Sequence, residues 1–208
     1  ADDAGAPLPQ LIAPGQPLFA TAATEVAANW KLLLESFIEG YHIRPTHPKT
    51  FLPYGFDNLN LIDLFGRNSR VTYPFQRIRK LAAIAPAERR VEGLLTYVYH
   101  LFPNALVNVF SHHTKLVILE PLAVDRTLML AYAVARGASE DALAAANRDS
   151  DFVENAGGAE DRAVVCDIQR GLGGGANEVF TFGQFESAIV HFHRMLATAL
   201  GEPTTARR

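Results

Sequence analysis

The sequence has a single cysteine, Cys166, and that scarcity excludes more chemistry than any other feature of its composition. One cysteine cannot form an internal disulfide or a cysteine-rich zinc site. Nor can it hold an iron–sulfur cluster bound wholly by this chain. A reducing, cytoplasmic location is the expectation that follows. An excess of positive charge is missing too. The formal net charge is −3, and Lys and Arg are scattered apart from short groups such as Arg77-Ile78-Arg79-Lys80 and Arg207-Arg208. That is no electrostatic footprint for a nucleic-acid partner. No apolar run is long enough to cross a bilayer, no signal peptide is visible at the start, and no internal repeat is visible. What is present is 208 residues, 49% of them hydrophobic, enough for one domain with a sizeable core.

Residues 1–24 are rich in Ala, Pro and Gly, as in Ala6-Pro7-Leu8-Pro9 and Ala13-Pro14-Gly15. They read as an irregular lead-in, a linker from an N-terminal part that is missing. The start at Ala1 rather than Met agrees with a piece of something longer. Residues 28–42 read as a helix, stopped by Pro45, with Arg44 pushed toward extended geometry.

Between about 58 and 136 the pattern turns to β-branched and aromatic runs: 60–65, 70–75, 95–100, 105–110, 115–120 and 127–134. Turn residues separate them, among them Pro103-Asn104, Ser111, Pro121 and Asp125-Arg126, so an antiparallel meander is predicted. A short polar helix fills 76–92. Ser139 opens a further helix with Glu140 and Asp141 in its first turn, which suits the dipole. Gly157-Gly158 breaks it, a second helix runs over 159–171, and a third over 184–200 stops at Gly201. Helix, sheet, then helices argue for an α+β domain with helices covering one side of a curved sheet.

Two histidines, His42 and His47, stand five residues apart after a helix carrying Glu35 and Glu39. On one ideal helix that spacing would put them about 140° apart. A bend at Pro45 brings His47 back toward His42, and a metal is one reason to bring them together. Glu39, three residues before His42, can bond the imidazole nitrogen facing away from a metal. Glu35 and Glu39 repel slightly at a spacing of four. A solvated polar stripe with two ordinary histidines is the competing reading.

A third ligand is available in the helix at 159–171. Asp161, Val164, Val165, Ile168 and Leu172 share one stripe, so one carboxylate falls in phase with the buried face. Such a carboxylate is costly unless paired or metal-bound, although Asp in a first helical turn is also explained by the dipole. Two His and one carboxylate make the facial triad of non-haem Fe(II) oxygenases. Zinc accepts the same ligands, as in His₂Glu hydrolases.

Four motifs in order then resemble one family. Residues 29–47 read N-W-K-x₃-E-S-F-x-E-x-Y-H-x₄-H; 102–104 read F-P-N; 160–172 read E-D-x₅-D-I-Q-R-G-L; 186–194 read E-x₅-F-H-R. Together they resemble the catalytic domain of the large (α) subunit of Rieske non-haem iron oxygenases, the aromatic ring-hydroxylating dioxygenases, over about residues 25–196. The resemblance implies a catalytic domain over 25–208. The implied fold is the helix-grip (START/Bet v 1-like) type, a curved antiparallel sheet over a long C-terminal helix. It assigns His42, His47 and Asp161 to mononuclear Fe(II), and Glu39 to the acidic position linking that site to the Rieske cluster of a neighbouring subunit. Ser36 stands where several dioxygenases have Asn. Phe65, Val71, Tyr73, Phe102, Asn108 and Phe110 are expected in the pocket wall beside ordinary core.

The implied partners are O₂, a small apolar or aromatic substrate, a Rieske domain or ferredoxin with its reductase, and NAD(P)H as the ultimate donor. A homotrimer is implied, with or without a small β subunit. The family's two-iron two-sulfur cluster domain has no counterpart here, so its electrons must come from a missing domain or a separate polypeptide. A non-catalytic helix-grip carrier of hydrophobic ligands and a zinc hydrolase using Glu39 as base are the rival functions. The remaining histidines read as loop or strand-edge (His112, His113) and helix-surface or core (His191, His193), and Cys166 as a small apolar filler.

Overall fold

The computed structural model describes residues 11–176 and 179–202; the first ten residues of the expected lead-in and Arg207-Arg208 lie outside them. Seven antiparallel strands form one sheet in the order β1-β7-β6-β5-β4-β3-β2. They are β1 (Leu18–Val26), β2 (Leu61–Phe65), β3 (Asn68–Pro74), β4 (Leu95–Leu101), β5 (Ala105–Val109), β6 (His113–Ala123) and β7 (Arg126–Ala135). The meander from β2 to β7 is the one the sequence predicts.

The strand β1 corrects the lead-in. Leu18–Val26 pairs with β7 from Leu18↔Val134 to Val26↔Thr127, so residues 18–24 belong to the sheet. Their Ala-Thr composition gives little alternation, and most of the strand is exposed at the sheet edge. Backbone pairing rather than side-chain burial holds it.

Alternation sorts the strands into two faces. Val71, Val98, Leu106, Val117, Leu119 and Met129 point inward and pack with the helices, while Tyr99, Val107 and Val109 form a separate cluster on the outer face with Tyr97, Leu101 and Leu116. Among the described residues the inner face is covered by five α-helices: α1 (Trp30–Phe37), α2 (Ile43–Thr46), α3 (Glu140–Phe152), α4 (Ala159–Leu172) and α5 (Ser187–Leu200). The C-terminal α5 inserts Ala188, Ile189 and Phe192 under β2 and β3. Each large side chain so buried contributes about 1.5–3 kcal/mol. The arrangement is helix-grip, with α5 ended by Gly201 in the left-handed region (φ 72°). Among the described residues no helix is long and apolar enough to cross a membrane.

Four local expectations change. The helix predicted over 28–42 is only Trp30–Phe37, with Asn29 as its cap accepting from the Lys31 N–H at 3.0 Å. Pro45 does not stop it; Pro45 lies inside the short α2, and Arg44 is helical rather than extended. Proline is tolerated there because a first-turn N–H has no intrahelical partner. The polar helix expected over 76–92 is two 3-10 pieces, Gln76–Ala83 and Pro86–Glu88. Gly157-Gly158 breaks nothing: α3, capped by Ser139, runs through a π-helical stretch, Val153–Gly158, into α4. Gly157 is needed for a close approach, since a Cβ there would overlap the Phe51 ring.

Candidate metal centre

Helix α1 ends at Phe37 and a turn carries Glu39 and His42 into α2, whose far end presents His47. Helix α4 packs against both α1 and α2 and brings its first turn, with Glu160 and Asp161, to the two imidazoles. Ligand atoms of His42, His47 and Asp161 all lie within 4.8 Å of one another. His47 Nε2 is 2.8 Å and His42 Nε2 3.5 Å from the same oxygen, Asp161 Oδ1. The rings meet edge to face at 5.2 Å.

Each imidazole is anchored through its other nitrogen. His42 Nδ1–H donates to Glu39 Oε1, as the reading of Glu39 predicts. The geometry differs from that reading: Glu39 is outside α1, in a turn where its carboxylate also accepts the backbone N–H of Tyr41 and of His42. Glu35 is therefore not its helical neighbour, and pairs instead with His193 Nε2 at 2.8 Å. His47 Nδ1–H donates to Glu160 Oε2 at 2.7 Å, and Thr50 Oγ1–H donates to the same oxygen at 2.7 Å. The role of Glu160 escaped the sequence reading, although its place beside Asp161 in the first turn of α4 was a usable signal. A carboxylate only accepts, so each ring carries a proton on Nδ1, and Nε2 is the nitrogen left to offer a lone pair to a metal lying between it and Asp161.

These groups fit a metal on the structure's own terms. His47 is fully buried, yet its Nε2 has no hydrogen-bond partner of acceptable direction despite the 2.8 Å approach to Asp161. A buried polar atom left without a partner costs about 1–3 kcal/mol, which a cation between the three groups would remove. Two neutral imidazoles and a carboxylate, with carboxylates behind the imidazoles, are a donor set for a divalent first-row metal. Burial lowers the pKa of His47, but the close Asp161 carboxylate and the hydrogen bond and charge of Glu160 outweigh it and raise the net value. Burial, with the charges of Glu39 and Asp161, pushes the Tyr73 phenol well up. Its O–H donates to Phe37 O (2.9 Å) and Glu39 O (3.0 Å), fixing the turn before His42.

A cavity of about 240 Å³ opens beside the triad, with His42, Glu39 and Asp161 in its wall. Ser36, Tyr73, Asn108 and Phe110 line it as expected. Ser36 Oγ–H bonds back to Leu33 O at 2.9 Å. Three expected wall residues are elsewhere. Phe65 lies on the outer face, one residue out of phase with Ile62, with Arg70 over its ring. Val71 faces inward but is sealed in the core. Phe102 packs at the edge of that core, with Arg67 over its ring. The wall residues not anticipated, Phe51, Phe56, Phe75 and Phe152 among them, come mostly from irregular segments and helix ends, where periodicity carries no signal.

The inward face of α4 is also rotated from the predicted stripe. Val165 is buried and Cys166 packs beside it as a filler, but Val164 and Ile168 are exposed. Polar side chains replace them on the inner side: Arg162 bonds Glu154, and Gln169 Oε1 accepts the Asn29 N–H at 2.9 Å. His113, expected at a strand edge, is fully buried at the start of β6, stacked on Phe110 and donating to Asp149 at 3.1 Å.

Comparison with solved structures gives the same fold. A quaternary ammonium Rieske monooxygenase, CntA, in complex with an inhibitor aligns with a TM-score of 0.72 at 19% identity, covering 94% of this chain and 54% of the other. Naphthalene 1,2-dioxygenase from Rhodococcus sp. bound to indole aligns at 0.65 and 14%, covering 91% and 58%. Dicamba monooxygenase bound to 3,6 dichlorosalicylic acid aligns at 0.61 and 14%, covering 94% and 62%. The chain thus spans little more than half of these proteins. Sequence comparison with curated proteins gives no match. Residues 18–202 match the ring hydroxylating alpha subunit (catalytic domain), and the chain accordingly belongs to that family.

Proposed function

We propose that the chain is the catalytic domain of a Rieske-type oxygenase that binds mononuclear Fe(II) at His42, His47 and Asp161 and hydroxylates a small substrate with O₂. The observation that carries this reading is the convergence of the two Nε2 lone pairs and one carboxylate on a single point in a cavity wall, with Nδ1 of each ring fixed by Glu39 or Glu160. A carrier of hydrophobic ligands has no use for imidazoles oriented in this way. Bound iron, reduced by an electron from a Rieske cluster outside this chain, would supply the oxygen activation.

The residues of the chain do the rest. Glu39 and Glu160 hold both rings in one tautomer, so the lone pairs stay aimed at the metal. Glu39, bonded to His42, would occupy the acidic position that links the site to a neighbouring subunit's cluster, itself supplied from NAD(P)H through a reductase. Tyr73 and Ser36 hold the end of α1 and the turn beside the cavity. The aromatic wall excludes water and positions an apolar substrate within reach of the metal without ligating it. Both monooxygenases and a dioxygenase share this fold, so the fold is compatible with transfer of one oxygen atom or two. A homotrimer, with or without a β subunit, would bring a cluster to each site.

The test is elemental analysis of anaerobically purified protein, for wild type and for His42→Ala and Asp161→Ala. Near-stoichiometric iron in wild type and its loss in both variants is the expected result. No metal in wild type after Fe(II) reconstitution would remove the oxygenase reading, and zinc retained against Fe(II) would turn it to hydrolysis.

A further inference from the structure

The inner face of β6 carries a lysine in the middle of the sheet. Lys115 lies opposite Asn108 on β5 and Ala133 on β7, two residues from the buried Val117, and its side chain is only 14% exposed. A charge taken into such a place is costly unless compensated. Its compensation among the described residues is one carboxylate, Glu154 in the π-helical stretch, with Lys115 Nζ 2.5 Å from Oε2. That carboxylate is shared. Arg162 of α4 donates to the other oxygen at 2.6 Å. Burial alone would raise the carboxyl of Glu154, but the bonds and charges of Lys115 and Arg162 hold it low and ionised. Two cations therefore converge on a single negative charge. Three other carboxylates line the cavity, and each is engaged elsewhere: Glu39 with His42, Asp149 with His113, and Asp161 beside both His42 and His47.

All three side chains line the cavity beside the triad, whose wall is otherwise mostly apolar. A stabilising role alone explains the trio poorly, since apolar residues of similar volume commonly do as well as a buried ion pair. An ammonium has three donors, and Lys115 commits one. We propose that the cavity takes a substrate bearing a carboxylate, which docks on Lys115 and leaves the apolar body of the molecule among the aromatic wall residues. This rests on the oxygenase reading for what happens to the substrate, but not for its binding. Charge-assisted bonds to a carboxylate are about twice as strong as those to a neutral acceptor, so Lys115 would choose acids over isosteric amides.

Calorimetric titration of the full chain with matched pairs tests this: benzoate and benzamide, phenylacetate and phenylacetamide, hexanoate and hexanamide. At least one acid should bind on the order of tenfold tighter than its amide. Lys115→Met should erase the difference, and Glu154→Gln, which removes the competing negative charge, should widen it. Acids binding no tighter than amides in wild type, including no binding of either, would overturn the proposal. So would a preference that survives Lys115→Met. If Lys115→Met fails to fold, the wild-type pairs and Glu154→Gln decide alone, and a preference that does not widen in Glu154→Gln then counts against the proposal. Iron titration of the same protein separates the two readings. Acid preference without iron binding would overturn the oxygenase assignment and keep the anion site. Iron binding without acid preference would overturn only this proposal.

Discussion

Replacing Glu160 by alanine should weaken metal binding by about tenfold, although Glu160 would touch the ligand His47 and not the metal. The expectation comes from one contact. His47 is fully buried, and among the described residues its only side-chain hydrogen bond of good geometry runs from Nδ1–H to Glu160 at 2.7 Å. Without that acceptor the ring can carry its proton on Nε2, where it blocks the metal, or turn away from Asp161. Groups behind metal-bound histidines are typically worth 10–100-fold in affinity, or about 1.4–2.8 kcal/mol. Exposure decides where in that range each falls. The Glu160 side chain is 36% exposed and water can take up part of its role, whereas the Glu39 side chain is 11% exposed. Glu39→Ala should accordingly lose nearer a hundredfold.

The pH dependence has a sign of its own. Metal binding needs His47 neutral. In the metal-free protein burial lowers its pKa, and Asp161 and Glu160 outweigh that and raise it. Wild-type affinity should then fall as the pH drops through this raised value, above the ordinary imidazole value of about 6.5. Removing Glu160 lowers the pKa, so the deficit of Glu160→Ala should be largest at alkaline pH and shrink toward acid. Anaerobic competition for Fe(II) against a chromophoric chelator measures both effects, with circular dichroism as the folding control. Wild-type affinity in a folded Glu160→Ala protein, or a larger loss there than in Glu39→Ala, would refute the reasoning.

Three further outcomes follow from the packing and the charges. Phe192→Ala removes a fully buried ring that packs against Trp30 and His100, and should cost about 3–5 kcal/mol in denaturant unfolding; a loss below about 1 kcal/mol would contradict the placement of α5 in the core. Gly157→Ala forces a methyl group into the Phe51 ring, which packs at a tilt against His47 with ring centroids 4.7 Å apart, so a destabilisation of about 1–3 kcal/mol should appear together with weaker metal binding, and unchanged values of both would count against that contact. Asp149 is pushed up by its burial, but the bonds from His113 and the His112 N–H, with the charges of both imidazoles, hold it below its usual value. Its stabilisation is therefore present above the unfolded carboxyl value of about 4 and is lost as pH falls through the lower folded one. Asp149→Asn should be less stable at neutral pH and show a flatter acid limb, and an unchanged limb in equilibrium unfolding would refute it.

What the sequence disclosed depended on periodicity. Strands β2 to β7 alternate well, because one face meets helices and the other is partly open, so their limits were legible to within a few residues. The edge strand β1 was not, since Ala and Thr on an exposed edge leave no alternation to see. That the two histidines and Asp161 belong together was legible through residue type and resemblance, while the bend joining them was misplaced: the chain turns after Phe37, with Tyr73 clamping the carbonyls of Phe37 and Glu39, and not at Pro45. Strand parity was enough to exclude Phe65 from the cavity, because it is one residue out of step with Ile62, which faces Val71. Parity could not exclude Val71, which shares the face of Tyr73 and is removed from the cavity only by the depth of α5. Glu160 was marked only by its place beside Asp161; its partner and those within the Lys115–Glu154–Arg162 trio lie 113, 39 and 8 residues away in the chain, and no local pattern names them.

The most direct measurement of the central claim is an anomalous difference map at the iron edge, from crystals of the full chain reconstituted anaerobically with Fe(II). A single peak between His42 Nε2, His47 Nε2 and the Asp161 carboxylate, with Nδ1 of the two rings still on Glu39 and Glu160, is the predicted result. No peak there, or a peak held by other residues, would contradict the account.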